Sequence, residues 1–225
     1  MDENAAAWVD YYRRIPPNAL AYSEPSPALL EVLERQDLWA ADQTFCLDLG
    51  AGSGGRMGNS ITAHGFIPLI LDVSLVALRD LNSSERRPAS PVLSRIAADA
   101  RRLPISSASI ALVVASDLFM HLSRWAGYLS EICRVLKPGG MLAFNWLGEK
   151  DCQKARATKV TGGYMLPNGV PIRFRGYRSA AQMLSRCVCL QPRAFSHVSR
   201  LDPPHPEFHP EWHVHDEWAV LCERL

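Results

Sequence analysis

The chain has 225 residues, of which 48% are hydrophobic, and its formal net charge at pH 7 is +1. This length and composition suit one α/β core, and the near-neutral charge argues against a protein that binds the phosphate backbone of nucleic acid. No apolar run reaches the roughly 20 residues of a membrane-spanning helix, and the N-terminus is acidic, unlike a signal peptide. We therefore expect a soluble, cytoplasmic protein.

Two helices are predicted before the first strand. Apolar periodicity indicates one helix over residues 5–14 and a second one around Leu29, Val32 and Leu33. Residues 23–26 supply a turn and a cap for the second helix.

A glycine-rich turn follows the first predicted strand, residues 43–49. The run CLDLGAGSGG, residues 46–55, places Gly50, Gly52 and Gly54 between this strand and the next helix. Glycine tolerates left-handed or crowded backbone and lets a ligand approach the chain closely. The same run satisfies the dinucleotide fingerprint G-x-G-x-x-G, so the glycines alone do not choose a cofactor. Asp48, at the strand end, would repel a pyrophosphate and attract an ammonium group.

Three more segments follow in order. A second apolar run, residues 66–71, ends at Asp72, at the spacing of the acid that binds ribose hydroxyls in nucleotide-binding folds. The run AADARRLP, residues 97–104, contains Asp99. A fourth strand over residues 110–116 precedes a helix that we expect Ser123 to cap, and LKPGG, residues 136–140, ends that helix in a tight turn. The apolar side of the helix is Tyr128, Leu129, Ile132, Val135 and Leu136.

Together these motifs resemble those of the class I S-adenosylmethionine (SAM)-dependent methyltransferases, over about residues 43–146. The resemblance implies an α/β fold with a Rossmann-like, doubly wound, seven-stranded sheet, mostly parallel with an antiparallel last strand. Right-handed crossovers would place the cofactor crevice at the carboxyl ends of the strands. One departure is Ser109-Ile110-Ala111, where the family usually carries an aspartate before the fourth strand.

The resemblance also implies roles for single residues. Asp48 would bind the ammonium group of SAM, Asp72 the ribose, and Asp99 the adenine amino group, with the backbone of Ala100 against the ring. The full predicted cofactor set is Tyr12, Asp48, Gly50, Gly52, Gly54, Asp72, Val73, Asp99, Ala100 and Ser116. Tyr12 belongs to a tyrosine pair that resembles one in the lid helices of such enzymes, here residues 1–42. His121 is the predicted catalytic base, with a packing role as the alternative.

The segment after the core, residues 148–178, is predicted to be a substrate-side insert. Between residues 152 and 201 there are nine Lys or Arg residues and no Asp or Glu. Residues 163–177 read as a hairpin with a type I′ turn at Asn168-Gly169 and with Arg173 and Arg175 on one face. We predict that these two arginines and Trp146 bind substrate, because a guanidinium group suits an oxyanion. A solvated basic hairpin is the alternative.

Residues 179–225 are predicted to form a C-terminal helix and strands. His205, His209, His213 and His215 lie here, and His213 and His215 share a face if residues 212–222 are a strand. Metal binding by two of them is an alternative to a polar loop, and we predict no metal site. The six cysteines have no paired C-x-x-C spacing and are expected to be free thiols, with Cys46 and Cys222 in core strands.

The predicted function is methyl transfer from SAM to an oxygen or nitrogen of a small, polar or anionic metabolite, within one domain, residues 1–225. An RNA-modifying methyltransferase and a SAM-binding regulatory module without methyl transfer are the alternatives. No nucleic-acid or membrane partner is expected, and the sequence does not indicate an oligomeric state.

Overall fold

The structure is a computed structural model and describes residues 3–15, 25–34, 44–53, 57–80, 94–204 and 211–225. The helices are α1 Glu3–Arg14, α2 Pro27–Glu34, α3 Gly58–Ala63, α4 Leu75–Asp80, α5 Ala126–Val135, α6 Gln153–Arg156 and α7 Tyr177–Leu184. The strands are β1 Phe45–Leu49, β2 Ile67–Asp72, β3 Ser94–Ala97, β4 Ile110–Ala115, β5 Leu136–Leu147, β6 Thr158–Val160, β7 Gly163–Met165, β8 Pro171–Ile172, β9 Leu190–Asp202 and β10 His213–Arg224. A 3₁₀ turn spans Phe119–His121.

Within the described residues, seven strands form the main sheet in the order β3-β2-β1-β4-β5-β10-β9. The neighbouring pairs from β3 to β5 are parallel, whereas β10 is antiparallel to both β5 and β9. The predicted α/β, Rossmann-like sheet with an antiparallel last strand is confirmed. The strand order reverses between β1 and β4, and ligands of such sheets bind at the carboxyl ends beside this switch point.

Helices cover both faces of the sheet. The apolar side of α5, with Leu129, Ile132 and Val135 fully buried, packs into the larger core cluster, and α2 packs into a second cluster with the other face of β1, β4 and β10. Ser26 caps α2 as predicted, because its Oγ accepts a hydrogen bond from the backbone N–H of Leu29 at 3.0 Å. The predicted cap at Ser123 is wrong: α5 begins at Ala126, and no side chain caps it.

The run LKPGG makes the predicted tight turn inside the first part of β5. The pairing with β4 jumps from Ile110 opposite Leu136 to Leu112 opposite Met141, so the intervening residues bulge out. Gly139 has φ +73°, which only glycine adopts without strain.

A second sheet, β6-β7-β8, lies within the predicted insert. Its β7–β8 hairpin turns over residues 166–170, with the N–H of Gly169 bonded to the carbonyl of Leu166 at 2.9 Å. A type I′ turn needs positive φ at both central residues, but here Gly169 has φ +84° and Asn168 does not have positive φ. The predicted I′ turn is therefore wrong, and the loop Pro167-Asn168-Gly169 has a three-residue form that ends in a left-handed glycine.

The cysteines depart in part from the prediction. Cys46 and Cys222 are buried free thiols in β1 and β10, as expected. Cys133 and Cys189 instead form a disulfide, because α5 and the loop before β9 bring their Cα atoms to 6.5 Å across 56 residues of sequence. The spacing of the cysteines along the sequence does not predict a disulfide between two residues so far apart.

Across the described ranges, every helix is too short or too polar to span a membrane.

Candidate active site

A single cavity of about 570 Å³ opens at the carboxyl ends of β1, β2 and β4, and this volume suits a small-molecule site. Its wall combines nine residues that the sequence nominated for the site: Tyr12, Gly50, Gly52, Asp72, Val73, Asp99, Ala100, Ser116 and His121. Other residues of the wall come from α1, the start of α2, the 3₁₀ turn, α5, the end of β5, α6, the β7–β8 loop, β9 and β10.

The glycine turn forms one end of the cavity. Gly50 and Gly52 have φ of +77° and +60°, so any other residue would be strained at either position. A Cβ built on Gly52 would also collide with the hydroxyl oxygen of Tyr12, which lies directly against the turn. Glycine at position 52 is therefore required both by its backbone angle and by the close approach of α1.

Asp72 links the glycine turn to the end of β2. Its Oδ2 accepts the backbone N–H of Gly52 at 2.9 Å, and its Oδ1 accepts that of Ser74 at 2.8 Å. Burial raises the pKa of this carboxyl, and the hydrogen bonds from Ser74 and Gly52 act against that rise. The side chain thus fixes the turn while it lines the cavity.

Asp99 and Ser116, two further predicted cofactor residues, also line the cavity. The Oδ1 of Asp99 accepts the backbone N–H of Arg101 at 2.9 Å, and its Oδ2 accepts the guanidinium of the same residue at 2.6 Å. The Arg101 side chain thereby lowers the pKa of Asp99. Ser116, at the end of β4, has a buried hydroxyl with no hydrogen-bond partner in the described part of the chain. A buried polar atom of this kind, on a cavity wall, is suited to a ligand.

Two predicted cofactor or substrate positions do not line the cavity, and a third lies outside the described residues. Asp48 is only 2% exposed within β1 and does not line the cavity. Trp146 is fully buried in the core against the rings of Trp125 and Phe144, so it does not line the cavity either. Gly54 lies outside the described residues.

Arg173 and Arg175 point away from the cavity and hold the 3₁₀ turn instead. Arg173 donates from Nη1 to the carbonyl of His121 at 2.8 Å, and Arg175 donates from Nη2 to that of Leu122 at 2.7 Å. The Arg175 guanidinium is buried and lies 5.2 Å from the Trp125 ring centroid. Burial, together with the charge of Arg173, lowers the pKa of Arg175 to about 10. Neither arginine is among the residues that line the cavity, and both donate to main-chain carbonyls, so this structure gives no support to the prediction that the pair binds the substrate.

Arg175→Met should therefore affect stability rather than acceptor binding. Loss of the guanidinium removes a donor to the buried carbonyls of Phe119 and Leu122, at a cost of about 1–3 kcal/mol in the free energy of unfolding. Urea unfolding measures this cost. Arg173→Met is the matched control and should cost less, because Arg173 is more exposed and water can replace it. A raised acceptor Michaelis constant with unchanged stability would contradict this assignment.

Helix α1 contacts both the glycine turn and His121. The Trp8 ring lies 4.7 Å from the His121 ring, edge to face, while Tyr12 lies against Gly52. The Nδ1 atom of His121 lies 2.8 Å from the carbonyl oxygen of Pro171. Because a carbonyl only accepts, Nδ1 carries the proton, and Nε2 of the neutral ring carries the lone pair.

The opposite wall carries a polar network that sequence reasoning missed. Asn145 donates from Nδ2 to both Glu217 Oε1 and Asp117 Oδ1, and its own Oδ1 accepts the backbone N–H of Asp117 at 2.6 Å. Burial and the nearby Asp117 charge raise the pKa of Glu217 to about 7. Asp117 has a left-handed φ of 55°, a strained conformation that often marks functional sites. The only sequence signal was Asn145 within the apolar second half of β5; Glu217 follows three other polar residues at the start of β10 and does not stand out.

The residues that are present fit SAM. The turn offers an unhindered backbone at Gly50 and Gly52, the cavity has room for a small molecule, and the hydroxyl of Ser116 is available to a polar ligand. Asp72 and Asp99 place carboxylates on the same wall, where ribose and adenine donors would need acceptors.

Comparison with known proteins agrees with this geometry. Residues 47–144 match the family described as "Methyltransferase domain". These residues form a class I SAM-dependent methyltransferase domain. The domain includes β1, β2, β3 and β4 and most of β5, and S-adenosylmethionine is the cofactor of its family.

Two curated relatives share this methyltransferase domain. A malonyl-[acyl-carrier protein] O-methyltransferase of Methylococcus capsulatus is 36% identical over 56% of this chain. Squalene methyltransferase 1 of Botryococcus braunii is 25% identical over 60% of this chain. The chain spans only 46% and 36% of the lengths of these two proteins, respectively.

Solved structures share the methyltransferase fold at low identity. A SAM-dependent methyltransferase from Methanosarcina mazei has a TM-score of 0.64 at 14% identity, covering 90% of this chain and 99% of the other. A structure from work on the conversion of a disulfide bond into a thioacetal group during echinomycin biosynthesis has a TM-score of 0.67 at 18% identity, covering 98% and 91%. At such identities the likeness concerns the fold.

Proposed function

We propose that the protein transfers a methyl group from SAM to an oxygen or nitrogen atom of a small polar acceptor bound in the same cavity. The observation that carries the proposal is the arrangement of the cavity wall. Residues of the cofactor motifs line one part of it, and His121, Asp117 and Glu217 line another. SAM supplies an electrophilic methyl group when it is bound, so the protein needs mainly to align a nucleophile and receive its proton.

His121 is the proposed proton acceptor. Its Nδ1–H is held by the carbonyl of Pro171, and its Nε2 carries the lone pair that can accept a proton from a hydroxyl or amine. Arg173 and Arg175 fix the main chain of the 3₁₀ turn on either side, which limits movement of the imidazole. These arginines are therefore positioning residues for His121.

Glu217 and Asp117 are the proposed binding groups for the acceptor. Both carboxylates line the cavity and share the amide of Asn145, so their oxygens have fixed directions. A hydroxyl or amine donor of the acceptor would find an acceptor atom there.

Acidic side chains outnumber basic ones on the cavity wall, which favours a neutral polar acceptor over an anionic one. Five carboxylates line the described wall: Asp72, Asp99, Asp117, Asp202 and Glu217. Arg156, Arg200 and His215 also line it, and Arg200 is paired with Asp202 at 3.0 Å. The earlier expectation of an anion depended on Arg173 and Arg175, which face elsewhere. The name of the Methylococcus relative supports an oxygen acceptor, and the malonyl group in that name carries a carboxylate.

An incubation with methyl-labelled SAM tests the proposal and its alternatives. We expect label in a fraction of polar small metabolites that contain hydroxyl or amino groups, and none in an RNA pool. Asp72→Ala should weaken SAM binding in calorimetry by about 1–3 kcal/mol and abolish labelling at limiting SAM, since a buried acceptor of the cofactor site is lost. Label in RNA would support the RNA-modifying alternative. SAM binding without label in any pool would support a regulatory module.

A further inference from the structure

A cluster of one cysteine and two histidines lies where β10 begins and α6 approaches it. We propose that Cys152, His213 and His215 form a binding site for zinc or a similar divalent transition-metal ion. One possible ligand atom from each of the three residues lies within 4.8 Å of the other two. The proposal does not depend on the proposed methyl transfer.

The main chain fixes this arrangement. His213 and His215 are two residues apart in β10, so their side chains lie on the same face of the strand, with ring centroids 4.8 Å apart. The backbone N–H of Cys152 donates to the carbonyl of Val214 at 3.0 Å, which holds the cysteine beside the two histidines. Three potential ligands thus come from two segments that are already tied together.

The distances suit tetrahedral coordination. The Cys152 sulfur lies 3.8 Å from Nδ1 of His215. Zinc bonds to sulfur and nitrogen in a tetrahedron place such atoms about 3.6 Å apart. The Cys152–His215 pair therefore needs only a small contraction to bind one ion, and the ligand atom of His213 lies within 4.8 Å of both.

The surrounding groups match those that support metal ligands elsewhere. Nδ1 of His213 donates to the carbonyl of Glu211 at 2.8 Å, so Nε2 of the neutral ring is the coordinating atom. Asp151 Oδ2 lies 3.1 Å from Nδ1 of His215, the nitrogen that faces Cys152, so a metal ion bound to Nδ1 would replace this hydrogen bond, while Asp202 Oδ2 lies 3.9 Å from Nε2. Both carboxylates are buried, and buried negative charge favours a bound cation.

The ligand types select the class of metal. A thiolate with two imidazoles suits zinc, cobalt or another late first-row ion, and does not suit magnesium or calcium, which prefer oxygen ligands. Three protein ligands leave a fourth position, as in catalytic zinc sites. His215 and Asp202 line the cavity, so the ion would lie at the wall of the proposed acceptor site, with water or a donor atom of the acceptor in the fourth position.

Metal binding to the full chain tests the site directly. After treatment with a chelator and addition of excess Zn²⁺ or Co²⁺, we expect about one equivalent to remain after dialysis. The cobalt form should show thiolate-to-metal charge-transfer absorption, which requires a cysteine ligand. Cys152→Ser should abolish this absorption, and His213→Gln should weaken binding by at least about 10–100-fold, the cost of disturbing even a ligand's hydrogen-bond partner.

Two control variants locate the ion. Cys187→Ser alters the other cysteine cluster, with Cys133 and Cys189, and His64→Gln alters a histidine of α3, so both should leave binding unchanged. The proposal is overturned if the wild-type protein retains no metal. It is also overturned if Cys187→Ser abolishes the absorption while Cys152→Ser retains it. Circular dichroism checks that Cys152→Ser is folded. If it is not, the metal content of the wild-type protein and the metal affinity of His213→Gln test the site instead.

Discussion

His121→Ala should lower the turnover number by about 10²–10⁴-fold at neutral pH, the usual contribution of a positioned general base. The imidazole lines the cavity, and its Nδ1–H is held by the carbonyl of Pro171, so the substitution removes the proposed proton acceptor. Initial-rate measurements at saturating SAM provide the check. A loss of only a few-fold would show that His121 shapes the pocket without accepting the proton.

The variant His121→Asn distinguishes a role of His121 as proton acceptor from a purely structural role. Asparagine keeps a side-chain donor that can reach the Pro171 carbonyl, but it offers no basic nitrogen. We expect this variant to be as slow as His121→Ala while folding normally. Recovery of near wild-type turnover in His121→Asn would show that the histidine only holds the hairpin in place.

Glu217→Gln should stabilise the folded protein above pH 7 while it weakens acceptor binding. Burial and the Asp117 charge raise the pKa of Glu217 from 4.5 to about 7. Between these values the folded carboxyl keeps a proton that the unfolded one has lost, so wild-type stability falls as the pH rises through this window. At about 1.4 kcal/mol per pH unit, the penalty above pH 7 reaches about 3 kcal/mol, and a neutral glutamine avoids it.

Urea unfolding at several pH values measures this effect of Glu217→Gln. The stability difference between the variant and wild type should be small near pH 4.5 and greatest above pH 7. Glu223→Gln is the matched control on the same strand. Glu223 pairs with Arg193 in a partly exposed ion pair, so its loss should change stability by less than about 1 kcal/mol. A Glu217→Gln protein that is less stable than wild type at pH 8 would contradict the burial argument.

The cavity position of most proposed cofactor residues could be predicted from sequence, because these residues follow the strand ends at short, fixed spacings. Gly50, Gly52 and Asp72 belong to this class, since the backbone of a strand-to-helix turn determines where they lie. Asp48 shows the limit of such spacing. Its position in β1 was correct, but the packing around the strand encloses its side chain and keeps it off the cavity wall.

The acceptor half could not be predicted because its wall is assembled from distant segments. Glu217 reaches Asn145 across 72 residues of sequence, through the antiparallel pairing of β10 with β5. Arg175 had the residue type that suits an anion, but the carbonyls of a distant turn take up its donors. Composition indicates which groups are available, and only the tertiary fold decides which partners they find.

The double contact of α1 has a thermodynamic consequence. Because Tyr12 lies against Gly52 and Trp8 lies against His121, displacement of this helix alters the cofactor end and the acceptor end of the cavity together. A ligand that orders α1 at one end therefore reduces the free-energy cost of ordering it for a ligand at the other. If a ligand at either end orders α1, the two binding events are coupled, and by linkage each strengthens the other by the same factor.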